Sequence, residues 1–257
     1  MQRPAEIISR NLKLRGMVHI PESTNRDIPL VIIFHGFCGN KVGPHFIFVK
    51  LSRFLESIGI ASIRFDFAGS GESDGNFIDM TMETELQDAH NILDYVKTLD
   101  FVDKERIGVL GFSMGGAIAS ILAGERKEEI SSLCLWAPAG NMHEVILSNT
   151  YIGDNYAKFL EDGYFDTEGL TFGRDFVKCT ENLKIYERAS GYNKKFLIIH
   201  GDKDEVVKVG ASERYLEVYR ELSKLKIING ANHTFDKKEW EEEVIEATVN
   251  FYKGAYK

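Results

Sequence analysis

The stretch Arg106-Ile107-Gly108-Val109-Leu110-Gly111-Phe112-Ser113-Met114-Gly115-Gly116-Ala117 passes from a short apolar run through a G-x-S-x-G into a run of small residues. Arg106 to Leu110 reads as a strand buried on both faces, and Met114 to Ala123 as a helix. A strand that turns so sharply into a helix brings backbone too close for side chains on either side of the turn. Glycine at 111 and 115 meets that demand, and the turn lifts the Ser113 hydroxyl clear of the sheet. The bare pattern is common in sequences; the strand before it and the small-residue helix after it give it meaning.

The same alternation runs outward in both directions. Upstream, Glu6 to Ile20 reads as a hairpin about Arg10 and Asn11, Leu30 to Phe34 as a strand, Pro44 to Ile58 as a helix opened by proline, Ile60 to Phe65 as a strand and Thr81 to Leu99 as an amphipathic helix. Downstream, Ser132 to Trp136 is a strand. After a gap follow a strand at Lys195 to Ile199, a helix at Ala211 to Leu222, a strand at Leu225 to Ile228 and a helix at Lys238 to Tyr252. Strands alternating with helices predict an α/β fold, a mostly parallel central sheet with helices on both faces and right-handed crossovers. In such sheets function sits past the carboxyl ends of the strands.

A serine hydroxyl is a poor nucleophile until an oriented base takes its proton. Three of the seven histidines follow Ser113: His143, His200 and His233. His143 falls in the irregular gap, and His200 closes a strand core before any strand-end acid. His233, in the loop Gly230-Ala231-Asn232-His233 after the last strand, is the candidate base. For the acid, Asp202 and Asp204 compete after the strand that ends in His200-Gly201. The chain must turn at Gly201 before a side chain can reach back, which favours Asp204 and leaves Asp202 to bond the amides of the turn. Glu205 reads as a solvated charge.

Charge developing on an attacked carbonyl needs preorganised donors. The Met114 N–H, at the helix start, is one candidate, and the Phe37 N–H in His35-Gly36-Phe37-Cys38-Gly39 is the other. His35 reads as a structural strand-end histidine and Cys38 as a packing residue.

The 257 residues carry 31 Lys and Arg against 39 Asp and Glu, a formal charge of −8, with no basic run. That balance argues against a nucleic-acid ligand. No apolar stretch approaches a membrane span, and Met1 to Arg10 lacks a signal-peptide layout, so no membrane partner and a cytoplasmic location are expected. Cys38, Cys134 and Cys179 lack metal-ligand spacing and read as free thiols. No metal and no cofactor are expected, and a homodimer stays open.

Between Trp136 and Lys195 the chain is far longer than an ordinary crossover. Residues 139–193 are expected to form an inserted cap after the sixth strand, over a core of 1–138 and 194–257. The window is rich in Tyr and Phe, with a hairpin-like Tyr164 to Phe172 around Gly169. Such a cap would roof Ser113 with an apolar, partly planar pocket. Glu144, Tyr164, Phe172 and Phe176 are the candidate substrate contacts, although most aromatics here would also serve the cap's own core.

Together, His35-Gly36-Phe37, the segment Asp66-Phe67-Ala68-Gly69-Ser70-Gly71-Glu72-Ser73-Asp74-Gly75, the turn at Ser113, Gly201 to Val207 and His233 resemble the α/β-hydrolase fold over essentially the whole chain. More narrowly, H-G-F, the D-F-x-G-x-G-x-S-D-G segment and Trp136-Ala137-Pro138-Ala139 resemble bacterial feruloyl (cinnamoyl) esterases. Met114 departs from the Gln found in many relatives. The resemblance implies a serine esterase for small aromatic esters, with Ser113, His233 and Asp204 as its triad and the insertion holding a hydroxycinnamoyl ring. A monoacylglycerol lipase or an acyl thioesterase with the same triad is the alternative, and a hydrolase-like binding protein without catalysis is a third reading.

Overall fold

Arg10 and Asn11 both take positive φ, 50° and 64°, as a two-residue turn must to match the twist of the strands it joins. They link β1 (Gln2–Ser9) to β2 (Leu12–His19) in an antiparallel hairpin that starts before the expected Glu6. The computed structural model describes residues 1–22, 27–148, 150–219 and 223–257. After β3 (Ile28–Phe34), the expected helix from Pro44 begins as a 3-10 turn, and α1 runs only from Ile47 to Ser57. The reason is local: His45 and Phe46 take positive φ, and the His45 ring is drawn away to the Thr234 carbonyl at 2.8 Å and to Glu241.

The chain continues through β4 (Ala61–Phe65), α2 (Met82–Thr98), β5 (Val102–Phe112), α3 (Met114–Glu125) and β6 (Ser132–Trp136). Thr81 caps α2 in a reciprocal box with Thr84. The segment that follows holds α4 (Met142–Leu147), α5 (Tyr156–Asp162), the hairpin β7 (Tyr164–Thr167) and β8 (Leu170–Gly173), α6 (Arg174–Asn182) and α7 (Ile185–Ala189). Then come β9 (Lys195–Gly201), α8 (Gly210–Tyr219), β10 (Ser223–Ile228) and α9 (Lys238–Ala255). The expected end of α8 at residues 220–222 lies outside the described residues.

The main sheet has the order β1-β2-β4-β3-β5-β6-β9-β10. From β4 across to β10 its pairings are parallel, and the hairpin joins antiparallel through β2 and β4. Alternation along β3 divides the core in two. Leu30, Ile32 and Phe34 face α2 and α3, whereas Val31 and Ile33 face α1 and α9. Because β6 and β9 are parallel neighbours in the sheet, the segment between them leaves at the carboxyl end of β6, where Ser113 stands, and crosses back to the amino end of β9. Among the described residues no helix is long and apolar enough to cross a membrane.

Candidate active site

The turn after β5 is as tight as its glycines imply. Ser113 sits at φ 55° and ψ −122°, a strained backbone region for a side-chain-bearing residue. A Cβ on Gly111 would lie 2.1 Å from the Gly115 carbonyl oxygen, and one on Gly115 would lie 2.2 Å from that of His35. The Ser113 N–H donates to the Trp136 carbonyl at 2.9 Å and its carbonyl accepts from Gly116 N–H at 2.9 Å. These bonds lock the turn between β6 and α3.

The Ser113 Oγ lies 2.9 Å from His233 Nε2, and His233 Nδ1 lies 2.7 Å from Asp204 Oδ2. The chain of hydrogen bonds crosses three separate strand-end loops. Asp204 is almost wholly buried, and its Oδ1 accepts the N–H groups of Val206 at 2.9 Å and Val207 at 2.8 Å. Burial alone would raise its pKa, but hydrogen bonds from His200 and His233 prevail and hold the carboxyl well below the usual carboxylate range. The ionised Asp204 fixes the His233 tautomer: Nδ1 carries hydrogen, so Nε2 is the acceptor that faces the serine O–H.

The second partner of Asp204 was not legible in the sequence. His200, fully buried, has its Nε2 3.1 Å from Asp204 Oδ2 and 2.8 Å from the Val207 carbonyl. Both are acceptors, so Nε2 carries hydrogen, and Nδ1 accepts from the Ser212 hydroxyl at 2.7 Å. Asp202 differs from its expected role. Its Oδ1 accepts from Gly230 N–H at 2.5 Å, so it ties the acid turn to the histidine loop rather than bonding its own turn.

Met114 N–H and Phe37 N–H have no hydrogen-bond acceptor among the described residues. Both belong to the segments that meet at Ser113, where a Cβ on Gly36 would come within 3.0 Å of the Ser113 Cβ. The first N–H of a helix points along the positive end of its dipole. His35 is buried, with Nε2 accepting from Phe67 N–H at 3.1 Å and Nδ1 donating to the Gly36 carbonyl at 2.9 Å. It has no nitrogen left for chemistry. Burial pushes the Cys38 thiol up to about 12, with Glu168 and Glu85 adding to the effect, which leaves no thiolate at neutral pH.

A cavity of about 350 Å³ opens beside Ser113 and His233, walled by Phe37, Phe48, Phe112, Tyr151 and Val206. Tyr151, one of the aromatics of the 139–193 segment but not one of its four candidate contacts, is that segment's contribution. The four residues expected there lie elsewhere. Glu144 is exposed on α4, bonded by Asn141 at 3.0 Å, in a separate cavity with Arg214 and Tyr186. The buried face of α4 is Met142, Val145 and Ile146, which turns Glu144 outward. Tyr164 is 45% exposed and borders another hollow with Asn155 and Phe165. Phe172 and Phe176 are buried behind the wall: their rings lie 5.3 Å and 5.0 Å from that of Phe37. They support Phe37 instead of lining the cavity. Among the described residues no group of three or more His, Cys, Asp and Glu side chains is arranged to hold a metal.

Comparison with known proteins agrees with this architecture. A family model described as alpha/beta hydrolase fold matches residues 29–178. The structure of Est1E from Butyrivibrio proteoclasticus with ferulic acid bound superposes with a TM-score of 0.88 at 30% identity, covering 98% of this chain and 99% of that one. The human mitochondrial palmitoyl-protein thioesterase ABHD10 is 26% identical over 190 residues, 70% of this chain and 58% of its own length. The putative esterase/lipase 2 of Mycoplasma pneumoniae is 29% identical over 234 residues, 79% of this chain and 81% of its own. An uncharacterised 31.7 kDa protein of Escherichia coli and the lysophosphatidylserine lipase ABHD12 of Gallus gallus are matched over 32% and 49% of their lengths. The chain thus spans half or less of these two relatives.

Proposed function

The chain belongs to the α/β-hydrolase fold family, and from that premise we propose that it is a serine carboxylic ester hydrolase that cleaves hydroxycinnamate esters through an acyl-enzyme. The observation that carries the reading is the unbroken path from Ser113 Oγ through His233 to the buried Asp204, at 2.9 Å and 2.7 Å. Ser113 attacks the ester carbonyl as His233 Nε2 takes its proton. The oxygen that becomes negative is met by the Phe37 and Met114 amides, which have no other acceptor among the described residues. Asp204 holds the imidazolium that forms. His233 then returns the proton to the leaving alcohol, and water repeats the sequence to release the acid. This chemistry calls for no cofactor.

Residues 139–193 act in this reading as a cap, supported by Tyr151 at the cavity wall and by the Phe37 ring packed against Tyr151, Phe172 and Phe176. Aromatic walls of this kind suit a flat acyl group. The ferulic acid bound to Est1E, which shares this fold at 30% identity, is the further support for the aryl preference.

A lipid-directed esterase or an acyl thioesterase is the second reading, favoured by the similarity to the palmitoyl-protein thioesterase ABHD10. Kinetics with methyl ferulate, methyl p-coumarate and dodecanoyl esters separates the two. The aryl reading expects a higher kcat/KM on the hydroxycinnamates, because the remote ring positions the carbonyl. A preference for dodecanoyl esters would move the assignment to the second reading.

A further inference from the structure

The segment Asp66 to Gly75, in the loop after β4, takes no part in the steps above, yet it grips the loop that carries the Phe37 amide at both ends. We propose that Asp66 and Lys41 are positioning residues whose ion pair holds the 35–41 loop so that the Phe37 N–H meets the oxygen that turns negative at Ser113. The inference rests on the serine mechanism just given.

Asp66 is fully buried. Its Oδ1 accepts the Lys41 backbone N–H at 2.6 Å, while its Oδ2 accepts Lys41 Nζ at 2.6 Å and the Glu72 N–H at 2.9 Å. The Lys41 carbonyl accepts from Arg64 Nη1 at 3.1 Å. Residue 41 is therefore held by its donor, its acceptor and its side chain at once. At the other end of the loop, the Phe67 N–H donates to His35 Nε2, and the two rings lie 4.9 Å apart. Between these anchors the chain folds back once, through Gly39 N–H to the Gly36 carbonyl at 3.0 Å, with Phe37 at the bend.

Gly71 makes the grip possible. It sits at φ +53°, and a Cβ there would come within 2.3 Å of the Asp66 Cγ. Only a residue without a side chain lets the backbone close over the carboxylate and offer Glu72 N–H to it. A carboxylate in this place without its cation is destabilised, so loss of the ammonium would loosen the Lys41 end of the loop, which then keeps only its backbone bonds to Asp66 and Arg64. A displacement of about 1 Å at an oxyanion donor is enough to cost a large factor in rate while ground-state binding persists.

The test uses 4-nitrophenyl acetate hydrolysis and inhibition by phenylboronic acid, whose adduct with serine is a tetrahedral anion. Lys41→Met should lower kcat about 10- to 100-fold with KM within about twofold, and weaken the boronate by a similar factor. Lys41→Arg should recover most of both. Lys41→Gln, read against Lys41→Arg in the same assays, serves if the methionine variant does not fold. Unaltered kcat and boronate affinity in a variant that merely melts earlier would assign the pair to stability alone and overturn the inference. Ser113→Ala is run beside them. Hydrolysis that survives Ser113→Ala removes the serine mechanism and this inference with it. Hydrolysis that is lost in Ser113→Ala but intact in Lys41→Met removes the inference alone.

Discussion

His200 Nε2 lies 3.1 Å from Asp204 Oδ2, the same oxygen that accepts the His233 Nδ1 hydrogen at 2.7 Å. Two imidazoles share one carboxylate, but only His233 also reaches Ser113, at 2.9 Å. Replacement separates their roles. His233→Gln should depress kcat as severely as Ser113→Ala, because members of the unit act together. His200→Gln, which keeps a donor for Asp204, should stay within about tenfold of wild type, the scale of one weakened hydrogen bond. Steady-state kinetics on 4-nitrophenyl acetate reads the ranking, and a reversal would make His200 the base.

The two aspartates of the same turn are told apart by their donors. Asp204 receives Val206 N–H, Val207 N–H, His233 and His200, and an amide would set its own NH₂ against some of them. Asp204→Asn should lower kcat by about 10⁴, as loss of an orienting acid does. Among the described residues the Asp202 carboxylate accepts only from Gly230 N–H, which an asparagine oxygen can still satisfy. Asp202→Asn should therefore cost far less in the same assay.

A pH dependence of stability follows from Glu85 on α2. Burial first, and then the nearby Asp88, raise its pKa well above the ordinary 4.5. The raised group favours the fold below its unfolded pKa of about 4.5, and that contribution is lost as pH climbs through the folded value. The melting temperature of wild type relative to Glu85→Gln should fall between pH 5 and pH 8, by roughly 2–4 °C for each kcal/mol lost. A difference that stays flat across the range, measured by thermal melts, would contradict the upward shift of Glu85.

Gly115→Ala tests the close approach at the turn. The added methyl would lie 2.2 Å from the His35 oxygen and 2.6 Å from that of Phe34, so β3 and α3 must part. A loss of about 1–3 kcal/mol in stability is expected, as for overpacking elsewhere. The fall in kcat should be larger than for a surface glycine such as Gly254, where nothing lies within 4 Å. Denaturant melts and kinetics on the purified variants measure both.

The sheet was legible because its strands are buried on both faces and bounded by turn residues, as at Leu30 to Phe34. Ser113, Asp204 and His233 were legible because a parallel sheet places loop residues together at one end, whatever their separation along the chain. The cavity wall was not. Which face of an inserted helix looks inward depends on what packs behind it, and Phe172 and Phe176 went to support Phe37 while Tyr151 took the wall. The outward turn of Glu144 was readable in principle from Met142, Val145 and Ile146 on the opposite face of α4. The link between His200 and Asp204 was not, since it arises from the bend after Gly201, which no local pattern reports.

The central claim is that Ser113 forms a covalent acyl-enzyme. Brief exposure to a fluorophosphonate, followed by peptide mass mapping, tests it most directly. The account predicts one adduct, on Ser113, absent from Ser113→Ala, together with complete loss of ester hydrolysis in that variant while its fold is retained. An adduct on another residue, or hydrolysis that survives the substitution, would contradict it.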